Sequence, residues 1–326
     1  MRYWRLQSIL FLALLTVPAI AQNSSEPVVA FAIGTTLTLV TSSGQVTQEI
    51  RLGHPVYDFA FSKDRKRLVI VAPETENGGN LSLFDLQTHA ETRLTHGPFY
   101  KKHLEKGESE VYADPQFSPD GRSIAFAIHG NLPDEGNDAE EAVGPIAVVD
   151  LGSGKVRVLK STENVDGQGP CDVGAPIWSP DGKWIIFNCD SGVFITDSAG
   201  MSLRPVKKDK KERLMASPIT WVGNQCILYL QGSDGSPYDP KVVEEAGLLN
   251  LQTSEVQGTG ILFTFPPDAV DGLAEASESA LVRRKSWGSG YSSYVETKGS
   301  RWRFPSSVAV HALGGWSYST IPQGCD

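Results

Sequence analysis

Asp114-Pro115-Gln116-Phe117-Ser118-Pro119-Asp120-Gly121-Arg122-Ser123-Ile124-Ala125-Phe126 has a second copy at Ala175-Pro176-Ile177-Trp178-Ser179-Pro180-Asp181-Gly182-Lys183-Trp184-Ile185-Ile186-Phe187. Each copy is an aromatic, a Ser-Pro-Asp-Gly turn and an apolar run. Proline presets φ at the first corner of such a turn, aspartate tolerates the second and accepts from neighbouring amides, and glycine takes the left-handed conformation that ends it. The aromatic and the apolar run are therefore two adjacent antiparallel strands. A degraded copy stands at Asp58-Phe59-Ala60-Phe61-Ser62-Lys63-Asp64-Arg65-Lys66-Arg67-Leu68-Val69-Ile70, a fourth at 218–228, and a faint fifth within 272–282.

Outward from each turn the pattern continues. A third apolar segment follows at 81–85, 146–150 and 193–197, then a polar turn, then a fourth segment at 91–94, 155–159 and 202–206. Four strands, repeated, make one blade of a β-propeller. The aromatic anchors Phe61, Phe117, Trp178 and Trp221 recur at intervals of 56, 61 and 43 residues. Blades usually take about 40–50 residues, and the two long intervals hold insertions, 97–110 between blades and 129–144 within one. The count is six units, 28–52, 56–94, 112–159, 174–206, 216–256 and 270–304, with seven as the alternative because the last two are faint. The first unit lacks an innermost strand. The segment 307–313 could supply it and close the ring, which would remove exposed sheet edges. The fold expected is an all-β, six-bladed propeller of four-stranded antiparallel blades, closed by strands from near the two ends of the sequence.

Phe117-Ser118-Pro119-Asp120-Gly121 and Trp178-Ser179-Pro180-Asp181-Gly182, each followed by an apolar strand, resemble the Pro-Asp repeats of TolB-type β-propellers and of the propeller domains of prolyl-oligopeptidase-like peptidases. The resemblance is strong over 56–206 and thin elsewhere. It implies the propeller fold and little about function, because propellers host many roles. TolB places an α/β domain before its propeller, and here only a few residues separate Gln22 from the first strand. The peptidases carry a hydrolase domain with a G-x-S-x-G elbow, a pentapeptide this sequence does not contain.

Arg2 and Arg5 precede 6–20, which has no charged residue, and Ala19-Ile20-Ala21 supplies small residues where a signal peptidase reads. That order reads as an export signal over 1–21, cut before Gln22; the apolar run is short of the roughly 20 residues a retained membrane helix needs. What remains, 22–326, is expected to be a single soluble propeller domain with no membrane span, periplasmic or extracellular, and monomeric. The formal charge is −9, from 38 acidic and 29 basic residues. Nucleic acid is excluded as a main partner, since phosphate binding needs a basic face.

The cysteines are Cys171, Cys189, Cys226 and Cys325. An even count in an exported chain permits two disulfides. Cys171 and Cys189 flank one strand–turn–strand unit and could pair; buried free thiols are the alternative. The six histidines, His54, His89, His96, His103, His129 and His311, share no close ligand spacing, so no metal is assigned and no cofactor is implied. Asp134, Glu135, Asp138, Glu140 and Glu141 cluster in an insertion without the alternation or central glycine of a calcium loop, and read as a solvated loop. Arg204, Lys207, Lys208, Lys210, Lys211 and Arg213 lack interleaved aromatics and read as a charged connection.

Asp58 and Asp114 share one register, three residues before Phe61 and Phe117, on what should be innermost strands. Their carboxylates are expected near one mouth of the central channel, as binding groups or as acceptors for turn amides. No catalytic constellation is found. The expected role is a non-enzymatic binding or scaffold propeller engaging another envelope or extracellular protein, or a different ligand, at one face or at the channel mouth. The alternative is a secreted propeller enzyme, a lyase or glycan-active hydrolase, in which Asp58 and Asp114 would serve as facing carboxylates.

Overall fold

The structure, a computed structural model, describes residues 27, 29–75, 78–96, 99, 109–131, 145–159, 173–189, 192–231, 243–264, 273–276, 280–287, 290–297, 300–305, 309–312 and 324–325. The expected export signal 1–21, Cys171, His103 and the acidic insertion residues 134–141 lie outside the described residues. Every described element is a strand, and no described helix is long and apolar enough to cross a membrane.

The strands form antiparallel four-stranded sheets in sequence order, the architecture of a β-propeller. The second sheet is β4 (Asp58–Phe61), β5 (Arg67–Thr75), β6 (Gly78–Asp85) and β7 (Glu91–Arg93); the third is β8 (Ser109–Phe117), β9 (Ser123–Asn131), β10 (Ile146–Asp150) and β11 (Val156–Val158). The fourth is β12 (Ile177–Trp178), β13 (Trp184–Cys189), β14 (Gly192–Asp197) and β15 (Leu203–Pro205). After a hairpin of β16 (Lys207–Lys208) and β17 (Glu212–Arg213) come β18 (Ala216–Val222), β19 (Cys226–Gln231), β20 (Val243–Asn250) and β21 (Val256–Thr264). The sixth sheet is β22 (Leu273–Ala276), β23 (Ala280–Trp287), β24 (Gly290–Thr297) and β25 (Ser300–Pro305). The first sheet joins β1 (Val29–Ile33), β2 (Thr36–Val40) and β3 (Val46–Arg51) to β26 (Ala309–Ala312), which pairs with β1 through Phe31↔Val310 and Ala32↔Ala309. The missing inner strand of the first unit is thus supplied from the 307–313 segment.

Alternate side chains of each second strand enter different cores, because successive residues of a strand point to opposite faces. Leu68 and Ile70 pack with Ala30, Leu37 and Leu39 of the first sheet. Val69 and Val71 pack with Tyr112, Ile124 and Phe126 of the third. Ala125 and Ala127 meet Ile185 and Phe187 of the fourth, and Ile186 meets Trp221, Ile227 and Tyr229 of the fifth. The second, third and fourth sheets are each covered on both sides, so their second strands are apolar runs without the polar alternation of a half-solvated sheet.

Several boundaries differ from the sequence reading. β8 starts at Ser109, and β9 runs on to Asn131. The fifth unit does not end at Val256; its outer strand begins there and continues to Thr264. Its residues Gln257, Gly258 and Thr259 carry no apolar signal that would mark a strand in the sequence.

Candidate functional site

Neighbouring strands run in opposite directions, so the connections of a sheet fall on two edges. First-to-second and third-to-fourth turns share one edge. Second-to-third loops and the crossings between sheets share the other.

The first edge is built from repeated tight turns. Ser62, Ser118 and Ser179 donate their hydroxyls to Asp64, Asp120 and Asp181 at 2.7, 2.6 and 2.7 Å. The same carboxylates accept from the amides of Lys66, Arg122 and Lys183. The serine oxygens accept in turn from the amides of Arg67, Ser123 and Trp184, at 2.9 Å each. The serine hydroxyl and the Arg122 amide hold Asp120 below the usual carboxylate range, as Ser62 and the Lys66 amide do for Asp64. Gly121 and Gly182 have φ of +67° and +70°, the left-handed conformation the turn requires. Asp85, Asp150, Asp197 and Asn250 close the third-to-fourth turns in the same way, accepting from amides two to five residues on. A polar cleft of ≈ 450 Å³ lies among these turns, lined by Lys63, Asp120, Arg157, Trp178, Asp181 and Ser198. Arg157 donates to the Ser198 carbonyl and both aspartates are bonded within their turns, so these groups are holding the frame.

Toward the second edge lie Asp58, at the start of β4, and Asp114, five residues into β8, and the structure joins them. Asp58 is 9% exposed. Its Oδ1 accepts from the Phe59 amide at 2.8 Å, and its Oδ2 accepts from the Asp114 amide of the next sheet at 2.7 Å. Asp114 has φ of +49° and lies where the β8–β9 register shifts between Ala113 and Gln116. Of the two roles expected for Asp58, amide acceptor is the one this geometry describes, and the bond joins two sheets.

Glu110 and Tyr112, which the sequence reading passed over, lie nearby on β8. Glu110 is 1% exposed; its Oε2 accepts from the Phe99 amide at 2.7 Å and from the Tyr112 hydroxyl at 3.0 Å. Burial, followed by the Glu110 charge and hydrogen bond, pushes the Tyr112 phenol far up, so it stays a donor. A glutamate inside the run Ser109–Phe117 was the available signal. His54 is also on this edge. Its Nδ1 is 2.9 Å from the Pro55 carbonyl and its Nε2 2.6 Å from Glu91 Oε1. Burial opposes its charge, but the carbonyl and the carboxylate outweigh this and raise its pKa above the ordinary value.

The remaining candidates are structural where they are described. Trp178 and Trp221 donate their indole N–H groups to the carbonyls of Gln116 and Ile177, each on the preceding sheet. Lys208 pairs with Glu212 at 3.6 Å across the β16–β17 hairpin, so the basic run is a folded connection. Cys226 is bonded to Cys325; Cys189 is also disulfide-bonded, and Cys171, its expected partner, lies outside the described residues. Among the described residues no group of three histidine, cysteine or acidic side chains could hold a metal ion.

With six antiparallel four-stranded sheets among the described residues and turn chemistry repeated from sheet to sheet, the fold is that of a TolB-like β-propeller. TolB from Acinetobacter baumannii is similar over 88% of this chain and 67% of that chain, with 19% identity and a TM-score of 0.51. At that identity the likeness shows the fold alone. Tricorn protease aligns with 87% of this chain and 30% of its own, at 13% identity and a TM-score of 0.46, which adds no argument. No protein family and no curated protein matches the sequence.

Proposed function

We propose that this chain is an exported, non-enzymatic propeller that binds another envelope or extracellular protein through the edge bearing Asp58 and Asp114. The observation that carries the reading is the division of labour between the two edges. One is made of short, internally bonded turns; the long crossings 93–109 and 158–177 and the long second-to-third loops 131–146 and 231–243 all leave from strand ends on the other. Binding residues concentrate on connections of this kind, held by a rigid scaffold. Apolar exposure does not choose between the edges. Ile33, Tyr57 and Met215 stand on the proposed edge, and Val46, Met201 and Val256 on the opposite one. Export is supported by the order of Arg2, Arg5, the apolar run 6–20 and Ala19-Ile20-Ala21, and by disulfide bonding, which persists in oxidising compartments.

The test is affinity capture of the exported protein from the envelope fraction of its own cells, with two double variants. Support is a stoichiometric protein partner that is retained by Met201→Ser/Val256→Ser and lost with Tyr57→Ser/Met215→Ser. Loss with the opposite-edge pair alone, or turnover of a glycan by the purified protein, overturns the reading.

A further inference from the structure

We propose that the Cys226–Cys325 disulfide is an oxidative latch that keeps β26 seated on β1. The β1–β26 ladder is the one place among the described sheets where strands far apart in sequence must pair. It has four residue pairs, Val29↔Ala312 to Ala32↔Ala309, as many as the β4–β5 ladder, whose strands are joined by a tight turn. Bringing such distant segments together costs loop-closure entropy, and a strand near the end of a domain frays unless it is tied down.

On one side β26 is tied by the short link from Pro305 of β25. On the other side the tie is to a different sheet. Cys325, thirteen residues beyond Ala312, is bonded to Cys226 at the start of β19, with a Cα–Cα distance of 5.0 Å and a sequence separation of 99. The Asn250 side-chain amide donates to the Gly324 carbonyl at 2.6 Å, and the Gln225 amide to the Cys325 carbonyl at 3.2 Å. Cys325 itself packs with Val222, Leu228 and Leu248. β26 therefore lies in sequence between two anchors, and the second encloses all of β20 to β26 in one covalent loop.

Locking transfers two electrons and two protons from the Cys226 and Cys325 thiols to a disulfide oxidant, which leaves as a dithiol while the Sγ–Sγ bond forms. Cys226 and Cys325 are 1% and 2% exposed. Once seated they are closed to reductants, so the device acts as a lock set once and not as a reversible switch.

Hydrogen exchange on the full chain tests this, comparing the oxidised protein with Cys325→Ser. The variant should exchange the β1 and β26 amides faster by about tenfold or more, a modest share of what closing a loop of this size is worth. The amides of β5, β9 and β13 should keep their protection. Unchanged exchange in β1 overturns the proposal, and so does an equal rise in every sheet, which would mean general stabilisation. If Cys325→Ser does not fold, the same comparison is made with the double variant Cys226→Val/Cys325→Ala, which keeps the buried site apolar without the bond; the same two outcomes count against the latch.

Discussion

The indole N–H of Trp221 donates to the backbone carbonyl of Ile177 across 3.0 Å, from one sheet to the one before it. Trp178 repeats this one sheet earlier, to Gln116 at 3.2 Å. At the next equivalent position Phe117 has no N–H to give. There Arg67 of the preceding sheet lies over the Phe117 ring, 5.6 Å from its centroid, and donates to the Gly121 carbonyl at 2.9 Å. The repeated aromatic is thus a joint between sheets, and different residues make the joint at different positions.

Losing the indole bond should therefore have a measurable cost. Trp221→Phe should destabilise by about 1–3 kcal/mol, from the lost hydrogen bond and from the space the smaller ring leaves. Trp221→Ala should cost about 3–5 kcal/mol through the cavity it leaves, since Trp221 is 5% exposed. Urea unfolding midpoints give both values. A Trp221→Phe variant as stable as wild type would show that the bond contributes nothing to joining the sheets.

The turn repeat makes a paired prediction of opposite sign. Gly182 has φ of +70°, and Arg65 occupies the equivalent place in the degraded copy with φ of +53°. A β-branched residue at Gly182 must adopt the left-handed conformation, so Gly182→Val should lose about 1–2 kcal/mol. Arg65→Gly relieves a similar strain but frees the unfolded chain at about 0.5–1 kcal/mol. A net gain of up to about 1 kcal/mol is expected, read as a rise in melting temperature. A loss of stability in Arg65→Gly would show that the arginine is not strained there.

Both ring nitrogens of His54 face acceptors, the Pro55 carbonyl and Glu91, and only the doubly protonated ring can donate to both. Its pKa is raised in the folded protein. The stability it contributes is therefore fully present below the unfolded pKa of about 6.5 and is lost as pH rises through the folded value. The pair is partly exposed, so the change should stay under about 1 kcal/mol. An NMR titration should place His54 above 6.5 in wild type and lower in Glu91→Gln. The same value in both proteins would remove Glu91 as the cause.

What could be read from the sequence was the local chemistry. Ser118, Asp120 and Gly121 satisfy one another within a few residues, so their meaning survives without a fold around them, and their recurrence at Ser179, Asp181 and Gly182 announces a repeat. The need for an inner strand from 307–313 was legible for a related reason: the first unit opens at its second strand. The Cys226–Cys325 bond was not legible, because it joins residues 99 apart that only the packing of the fifth sheet brings together. Asp58 lies between these cases. Its register with Asp114 is visible in the repeat, but its second partner is an amide 56 residues away on the next sheet.

That partner gives Asp58 a test that separates framework from function. Both carboxylate oxygens accept from backbone amides, Phe59 on its own strand and Asp114 on the next sheet. Deleting the carboxylate leaves two amide donors without it in a buried place, and each unsatisfied group costs about 1–3 kcal/mol. Asp58→Ala should therefore destabilise by about 2–5 kcal/mol and loosen the junction between the second and third sheets, seen as faster hydrogen exchange in β4 and β8. Asp58→Asn keeps one acceptor oxygen but turns an NH₂ group toward the other donor, so it should fall between alanine and wild type. If Asp58→Ala melts with wild type, the two bonds do not hold the sheets together, and the carboxylate would have to be kept for a ligand instead.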